Sequence, residues 1–532
     1  MKSLIEKALF YLYLPIHHSA KPNYNYMLRK IRIILATIFF AGVTLLFLDF
    51  TGTLHAWLGW MAKVQFLPAV MAMNFAVVAV LLLLTLLFGR VYCSVICPLG
   101  VMQDIISWIH GKTKKKNRFR FSYSPAKNIL RYAVLAIFIL GLVLGAHSIA
   151  VIIAPYSAYG RIAGNLFAPL YQWGNNLLAW IAERADSYAF YSVDVWIKSA
   201  STFIVAVITF AVVGFLAWKH GRTWCNTICP VGTVLGFFSR FSVFAPVIDT
   251  EKCRNCGLCG KQCKASCINT KEHSIDYSRC VPCMDCTDTC KDGAIHYARR
   301  RSLGKLGMTE SKLGMTESKT AGPDKGRRAF LVSSAIAGTA VAAKAQEMKV
   351  DGGLTAIDHA EKPERQTPLV PAGSLSLKNF ANHCTSCQLC VSVCPNQVLR
   401  PSTSLMTLMQ PEMSYERGYC RPECTRCSDI CPAGAIRPIT REEKSSIQIG
   451  HAVVNLDNCV VNTDGVKCGN CSRHCPAGAI RMVRKNPDDP QSLMIPTVNE
   501  ERCIGCGACE NLCPARPFTA IHVEGHEVHK VI

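Results

Sequence analysis

The sequence predicts a multi-domain chain: a four-helix transmembrane bundle followed by two α+β domains, with a flexible linker and one signal or anchor helix between them. Three observations lead to this prediction. Residues 1–246 carry four long apolar stretches, and residues 247–300 and 346–532 hold most of the 29 cysteines in repeated motifs. A segment with a basic start and an apolar continuation lies between the two groups of motifs.

Composition narrows the class of function. Half of the 532 residues are hydrophobic, a high share for a wholly soluble protein. The formal net charge of +22 would suit a nucleic-acid-binding protein. Many of the basic residues, however, flank the apolar stretches, and the sequence has no basic stripe rich in aromatic residues. We therefore expect a lipid bilayer, and no nucleic acid, as a partner.

The four apolar stretches are free of charged residues. With its flanks each reaches about 20 residues, enough for a helix to cross a bilayer, whereas the alternative is a set of buried helices in a soluble protein. The stretches are Ile33–Leu48, Val64–Gly89, Tyr132–Pro155 and Ser199–Trp218.

Basic residues predict the orientation of these helices, because cytoplasmic loops are rich in Lys and Arg. The loop from Arg90 to Arg131 has nine basic residues and one acid, Asp104. The loop 51–63 has one basic residue and the loop 156–196 has two. Both ends of the four-helix unit are therefore expected to face the cytoplasm.

The second and fourth stretches end in the same motif, which begins with Gly-Arg and continues to Cys-x3-Cys-Pro-x-Gly. On a regular helix the two cysteines of a motif share one face, and the two motifs together supply four thiols. These thiols either form a metal or redox site or belong to a buried, inert packing motif. The cysteines are Cys93, Cys97, Cys225 and Cys229.

Residues 247–300 contain two copies of Cys-x2-Cys-x2-Cys-x3-Cys, the spacing of a bacterial ferredoxin-like domain with two [4Fe–4S] clusters. In such domains the fourth cysteine of each motif binds the other cluster, and this spacing disfavours the alternative of zinc. Lys264 and Lys291 stand where Pro is usual, and Cys267 is left over. The predicted ligands are Cys253, Cys256, Cys259 and Cys290 for one cluster, and Cys280, Cys283, Cys286 and Cys263 for the other.

The segment before the second cysteine group has two parts. Residues 301–326 contain a tandem seven-residue repeat of mainly small and polar residues, which predicts a flexible tether. Residues 327–345 begin with Arg327 and Arg328 and end in a small-x-small site at Ala345, the pattern of a twin-arginine export signal. The signal is either cleaved or kept as a fifth membrane anchor, and it predicts export of the residues that follow.

Residues 346–532 hold four more motifs, each followed by Pro, and their sixteen cysteines match four further [4Fe–4S] clusters. Six clusters are therefore expected in the whole chain. We expect the first and last motifs to exchange their fourth cysteines, and the two middle motifs to do the same. The predicted ligands are Cys384, Cys387, Cys390, Cys394, Cys420, Cys424, Cys427, Cys431, Cys459, Cys468, Cys471, Cys475, Cys503, Cys506, Cys509 and Cys513.

These motifs carry two family resemblances. Residues 1–300, with four spans, twin Cys-x3-Cys-Pro motifs and a two-cluster domain, resemble the NapH family of membrane quinol-dehydrogenase subunits. Residues 327–532, with twin arginines, the long gap from Cys459 to Cys468 and the Gly-Cys-Gly-Ala-Cys run that ends at Cys509, resemble the NapG/MauM family of exported four-cluster ferredoxins. The chain thus resembles a fusion of the two families.

The resemblance implies an electron carrier of the bacterial inner membrane with several membrane passes. It would oxidise quinol from the quinone pool and pass the electrons to a periplasmic reductase or electron carrier. Residues 247–325 would lie in the cytoplasm and residues 346–532 in the periplasm.

Quinol oxidation needs an acceptor for the hydroxyl protons, and ionisable residues within apolar spans are candidates for that role. Asp49 ends the first stretch and His147 lies late in the third, so the predicted orientation brings both toward the outer leaflet. We expect these two residues to form the quinol site. The alternative is that both are interfacial residues in contact with water.

Two questions stay open at this point. Twin Cys-x3-Cys-Pro motifs also occur in proteins that resemble copper reductases and respiratory-enzyme assembly factors, so cytoplasmic copper reduction or an assembly role is the alternative function. For electron transfer, a bilayer core of about 30 Å would separate the two groups of clusters. Either the four thiols relay electrons across it or quinol reduces the outer clusters directly.

Overall fold

The computed structural model describes residues 24–113, 120–147, 151–300, 350–351, 355–356 and 360–532. The predicted tether and signal, with Arg327, Arg328 and Ala345, lie outside the described residues. A helical unit (residues 24–243) is followed by the first cysteine-rich domain (residues 244–300) and, later in the chain, by the second cysteine-rich domain (residues 360–532).

The helical unit contains long helices, short helices and two π-helical turns. Its first helix is the longest, at 25 residues. The α-helices are Tyr24–Leu48, His55–Leu58, Trp60–Lys63, Phe66–Met71, Phe75–Phe88, Pro98–Thr113, Asn128–Val143, Pro155–Ile162, Ala168–Arg184, Ala200–His220, Thr223–Thr227 and Pro230–Ser239, with a 3-10 turn at Val151–Ile153 and π turns at Tyr92–Ile96 and Ala163–Phe167.

Two helices among the described residues are long and apolar enough to cross a membrane, Tyr26–Leu48 and Ala200–His220. The second predicted span is instead broken. Met73 adopts a left-handed φ of 51°, and the Asn74 side chain accepts a hydrogen bond from the backbone N–H of Val77, so a new helix starts there. That helix has 14 residues, and the third predicted span forms a helix of only 16. The described residues therefore do not form the four uninterrupted spanning helices that the sequence predicts.

The two cysteine-rich domains contact opposite ends of the Tyr24–Leu48 helix. Near its start, Arg29 forms ion pairs with Asp285 (3.1 Å) and Asp288 (2.9 Å) of the first domain. Beyond its end, the Thr51 carbonyl accepts a hydrogen bond from Arg426 of the second domain at 3.2 Å. At 1.5 Å per residue these contacts lie about 30 Å apart along the helix axis.

Both cysteine-rich domains are α+β, with short helices after the cysteine loops and small antiparallel two-stranded sheets. In the first domain the helices are Leu258–Gln262 and Asp285–Thr289, and the strand pairs are Phe244–Ile248 with Ile295–Arg299 and Ile268–Asn269 with Ser274–Ile275. This is the bacterial ferredoxin-like arrangement that the spacing predicts.

The second domain also combines short helices with antiparallel strand pairs. Its α-helices are Leu377–His383, Leu389–Val393, Arg426–Ile430, Arg441–Ser446, Val460–Thr463, Asn470–Arg473 and Ala508–Asn511, with 3-10 turns at Leu456–Asn458 and Glu500–Arg502. Its strand pairs are Leu399–Pro401 with Pro411–Met413, Ile447–Val454 with Ile521–Val531, and Ile480–Arg484 with Met494–Val498. A further pair, Val350–Asp351 with Thr355–Ala356, precedes the domain.

The main hydrophobic core continues from the helical unit into the second domain. Phe47 and Tyr156 belong to the same buried cluster as Cys387, Leu389 and Ile430. Only Val281 extends this cluster into the described part of the first domain. The two domains are therefore attached to the helical unit in different ways.

Candidate functional site

The cysteines of the first domain line two cavities. One, of about 490 Å³, is lined by Cys253, Cys256, Cys259 and Cys290. The other, of about 480 Å³, is lined by Cys263, Cys280, Cys283 and Cys286, together with Cys267. Each cavity thus takes three cysteines from one motif and the fourth from the other, as the spacing predicts.

In the second domain neighbouring motifs exchange their fourth cysteines. Cys394 lies with the second motif, Cys475 with the fourth and Cys513 with the third. Cys431 interacts electrostatically with Cys384 and Cys390 of the first motif. The expected exchange between outer motifs and between inner motifs was wrong, because the short helices Leu389–Val393 and Arg426–Ile430 pack against each other and fix the nearer pairing.

Local backbone geometry wraps each cysteine loop around its cavity. In four motifs the residue after the second cysteine has a left-handed φ and starts the short helix that carries the third cysteine: Gly257 (67°), Met284 (61°), Gln388 (63°) and Gly507 (75°). Met284 and Gln388 are not glycines, so the surrounding structure imposes this conformation on them.

The groups of cysteine thiols that line these cavities suit a multinuclear cluster better than a single metal ion. Among the described residues, no three His, Cys, Asp or Glu side chains are placed to hold a single metal ion. The thiols instead surround cavities. Three buried hydrogen-bond donors also lie beside Cys387 and make no hydrogen bond within the described residues: the Tyr156 hydroxyl, Ser386 Oγ and Arg161 Nη1. Cluster sulfurs accept such bonds, so these residues fit [4Fe–4S] clusters, which supply one-electron transfer when bound.

The twin Cys-x3-Cys-Pro motifs form a reciprocal site. Arg90 of the first motif donates from Nη2 to the Cys225 carbonyl at 3.1 Å, and Arg222 of the second donates from Nη1 to the Cys93 carbonyl at 2.7 Å. Both arginines are buried. A Cβ on Gly100 or Gly232 would meet the same carbonyl and arginine at 2.2–2.9 Å, which explains the last Gly of each motif.

The four thiols of these motifs, Cys93, Cys97, Cys225 and Cys229, are buried and lie close enough to interact electrostatically. Gln103 donates to Cys225 Sγ at 3.2 Å, and the Gly232 N–H donates to Cys229 Sγ at 3.3 Å. The expected placement of each pair on one regular helix was wrong. Cys97 and Cys229 are extended residues that follow a helical turn, because the next residue, Pro98 or Pro230, begins a new helix.

A buried ion-pair network, centred on Asp104, joins this four-thiol site to the first domain. Arg222 holds the Asp104 carboxylate with two hydrogen bonds of 2.9 and 2.7 Å, and Arg32 is a third contact. Lys264 lies 3.6 Å from Asp104 and 2.7 Å from Asp285. Burial alone would raise the pKa of Asp104, but Arg222, Lys264 and Arg32 outweigh it and hold that pKa well below its usual range.

Asp104 and Arg222 also line the 480 Å³ cavity of the first domain. Arg222 therefore forms part of the cavity wall, and its guanidinium hydrogen-bonds the Cys93 carbonyl. Lys264 stands where ferredoxin motifs usually have Pro, and the structure gives it a docking role.

Asp49 and His147 are placed differently from each other. The Asp49 carboxylate accepts hydrogen bonds from the backbone N–H groups of Thr51, Gly52 and Leu54, and it contacts His55 Nδ1 at 2.9 Å. Burial favours a raised pKa for Asp49, but these hydrogen bonds outweigh it and the pKa is lowered. Asp49 therefore stabilises the turn after the first helix.

His147 lies near His383, the residue before Cys384, and its Nδ1 is buried without a hydrogen-bond partner in the described structure. No hydrogen bond or ion pair joins Asp49 to His147 among the described residues. The structure thus brings His147 next to the loop of Cys384, whereas the turn that Asp49 stabilises lies against Arg426, between the predicted ligands Cys424 and Cys427.

Sequence reasoning missed the Pro155–Ile162 helix. All eight of its residues are buried, and it carries Tyr156, Gly160 and Arg161 beneath the Cys384–Cys390 loop. The sequence instead predicts that this segment belongs to the external loop 156–196. Arg161, a single basic residue inside this segment, could have indicated a buried functional group, but one charge also fitted an external loop.

Two family models and several named relatives match parts of this chain. The family model described as 4Fe-4S binding domain matches residues 70–117 and 201–246, which contain the two Cys-x3-Cys-Pro motifs. The 4Fe-4S dicluster domain model matches residues 466–516. The ferredoxin-type protein NapG of Escherichia coli is 32% identical over 211 residues, which cover 36% of this chain and 84% of NapG. The chain belongs to the NapG family of ferredoxin-type proteins.

A second likeness accompanies the NapG match. The ferredoxin-type protein NapH of Escherichia coli is 26% identical over 249 residues, covering 45% of this chain and 71% of NapH. The methylamine utilization ferredoxin-type protein MauM of Methylobacillus flagellatus is 34% identical over 155 residues, covering 28% of this chain and 64% of MauM. No solved structure matches the chain at a comparable level. The predicted fusion of NapH-type and NapG/MauM-type sequences is confirmed, and the chain is an iron–sulfur electron-transfer protein.

Proposed function

We propose that this chain is a multi-pass inner-membrane protein that oxidises quinol and passes the electrons through six [4Fe–4S] clusters to a periplasmic reductase or electron carrier. The observation that carries the proposal is the attachment of both cysteine-rich domains to opposite ends of one apolar helical unit. A chain built only to bind metal in one compartment would not need cluster ligands at both ends.

The contacts of the loops support the proposed topology. Loops with few basic residues meet the second domain: Asn165 donates to Gln388 at 3.1 Å, and Trp196 donates to Gln397 at 2.6 Å. The ends rich in basic residues meet the first domain, where Arg90 and Arg131 both donate to the Ser278 carbonyl at 3.3 Å. This division agrees with a cytoplasmic first domain and a periplasmic second domain.

Protease protection of intact spheroplasts, read with an antibody to the C-terminus, tests that topology. Digestion of the second domain from outside is expected. Its full protection, with digestion restored by detergent, would contradict the periplasmic assignment.

Quinol oxidation is assigned to the end of the helical unit beneath Cys384, with His147 as the proton acceptor. Two observations support this assignment: the buried Nδ1 of His147 has no hydrogen-bond partner among the described residues, and His147 lies near His383. Asp49 is kept as the second candidate, although the turn it stabilises already uses both carboxylate oxygens. Each quinol releases two protons and two electrons, so the one-electron clusters must accept the electrons in two steps.

Quinol-driven reduction of the clusters, followed by low-temperature EPR on the purified full chain, tests the quinol site. His147→Ala is expected to slow reduction by about 100-fold, the usual scale of a lost proton acceptor. His110→Ala is the matched control, because His110 stacks on Trp218 outside the proposed site. An unchanged rate in His147→Ala would remove His147 from the mechanism.

The four buried thiols are proposed to hold a redox centre that links the clusters of the first domain to the helical unit. The shared contacts of Arg222 with the Cys93 carbonyl and with the cavity of Cys263 and Cys280 support this link. Replacing Cys93 and Cys225 together with Ala is expected to slow electron exchange between the two domains about tenfold or more, while quinol-driven reduction of the second domain persists. Unchanged exchange would exclude the relay.

A further inference from the structure

Cys267 is the one cysteine of 29 that no motif explains. Its side chain is buried, with 1% of its surface exposed, and it lines the same cavity as Cys263, Cys280, Cys283 and Cys286. That cavity therefore has five thiols, whereas the cavity formed with Cys253, Cys256, Cys259 and Cys290 has four.

The fifth thiol lies beside the fourth predicted ligand. Cys267 Sγ is 3.5 Å from Cys263 Sγ, and Cys267 also contacts the thiol of Cys280. A turn places the two sulfurs side by side: the Ser266 N–H donates to the Cys263 carbonyl at 3.0 Å, and Ser266 has a left-handed φ of 51°. The strand that follows then fixes Cys267, whose carbonyl accepts from the Asp276 N–H at 2.9 Å.

The backbone between these two cysteines is held by the helical unit. The Arg222 N–H donates to the Lys264 carbonyl at 2.9 Å, and Asn226 donates to the Ala265 carbonyl at 3.3 Å. Lys264 is tied by its ammonium group to Asp104 and Asp285. The loop therefore stays in place whichever of its two sulfurs faces the cavity, because its anchors involve neither thiol.

We infer that Cys263 and Cys267 are alternative fourth ligands of one cluster, which either thiolate completes together with Cys280, Cys283 and Cys286. This inference rests on the proposed cluster ligation. In the exchange, one iron–sulfur bond to Cys263 breaks and one to Cys267 forms. The Cys267 proton moves to the released Cys263 sulfur across the 3.5 Å contact, so neither charge nor electron count changes.

The competing interpretation is an inert thiol that only fills space, which predicts that Cys263 cannot be replaced. The two interpretations differ in iron content. The full chain is purified anaerobically in detergent, and iron, acid-labile sulfide and the EPR spectrum of the reduced protein are measured. Alanine is used because a serine oxygen can itself bind iron.

Cys263→Ala and Cys267→Ala are each expected to keep the wild-type iron content, whereas the double variant loses about four iron atoms per chain. The signal of this cluster is expected to shift in Cys263→Ala, while the other signals persist and report a folded chain. Loss of about four iron atoms from Cys263→Ala alone, or none from the double variant, would overturn the inference.

Cys283→Ala is the matched control, since Cys283 lines the same cavity and no spare thiol is proposed for it. It is expected to lose the same amount of iron as the double variant. If it keeps the wild-type content, the proposed ligation itself fails, which separates that failure from failure of the ligand exchange.

Discussion

The two cysteine-rich domains meet the helical unit through interfaces of opposite character. The first domain is held by buried charges, with Asp104 between Arg222, Arg32 and Lys264. The second is held by close packing, with the Cys387 carbonyl against Gly160 and Phe47. A charged interface depends on pH and on the presence of both partners, whereas a packed interface depends on shape. The same kind of domain can therefore be docked by two different forces.

The strongest way to break the charged interface is Asp104→Asn. Removing the carboxylate leaves Arg222 of the helical unit, which is 2% exposed, and Lys264 of the first domain without their shared buried partner, and we expect a loss of about 3–5 kcal/mol in the stability of the helical unit with its docked first domain. Pulse proteolysis across a urea series measures it. Asp288→Asn is the control: Asp288 makes one ion pair at the surface, and its loss is expected to cost less than about 1 kcal/mol. Equal losses of stability in the two variants would contradict the stabilising role of the buried ion-pair network around Asp104.

The pH dependence sharpens the same contrast. The pKa of Asp104 is lowered in the folded chain, so its contribution is complete above the unfolded pKa of about 3.9 and is lost as the pH falls through the folded value. The wild type is therefore expected to lose docking stability below about pH 4 more steeply than Asp104→Asn. The same proteolysis assay at pH 3–7 gives stability as a function of pH for the two proteins. Parallel curves would rule out Asp104 as the source of the loss of stability at low pH.

Gly160→Ala tests the packed interface. The new Cβ would lie 2.3 Å from the Cys387 carbonyl and 2.9 Å from the Phe47 ring, so overpacking is expected to cost about 1–3 kcal/mol and to loosen the second domain. The rate at which protease releases that domain measures the effect. Gly164→Ala, one helical turn away with open space around it, should leave the rate unchanged. A wild-type release rate in Gly160→Ala would show that Gly160 is not tightly packed against the Cys387 carbonyl and the Phe47 ring.

Trp196→Ala addresses a smaller contact of the second domain. The Trp196 ring has the guanidinium groups of Arg400 and Arg417 within 4.7 and 4.3 Å, and its Nε1 donates to Gln397. Its loss is expected to cost about 1–2 kcal/mol in the same release assay. Tyr188→Ala, at a side chain that is 91% exposed, provides the control. An equal change in both variants would mean that the stacked arginines contribute nothing to docking.

Much of this architecture follows from residue spacing. Cys-x2-Cys-x2-Cys-x3-Cys predicts both the cluster loops and the exchange of Cys263 and Cys290, because the short helix in each loop sends the fourth cysteine to the neighbouring cavity. The exchange within the second domain was not predictable in the same way. All four motifs have similar spacing, and the choice depends on which short helices pack together.

Other features depend on tertiary contacts that composition does not reveal. The break at Met73 and Asn74 lies inside an apolar run that satisfies every length criterion for a span. The Pro155–Ile162 helix is buried between other helices of the helical unit and the Cys387 loop of the second domain, which lies more than 200 residues further along the chain. The partner of Asp49, His55, is six residues away in sequence, but only the turn between them shows that the two side chains meet.

The reciprocal arginines have a consequence for biogenesis. Arg90 is made long before Cys225, yet the oxygen atoms that its guanidinium contacts belong to later parts of the chain: the Asn226 side chain and the Cys225 and Ser278 carbonyls. A half-synthesised chain therefore lacks these oxygen acceptors, and the second hairpin and the first domain supply them. Each repeat supplies a carbonyl acceptor to the arginine of the other, so the site is complete only after both hairpins have been made.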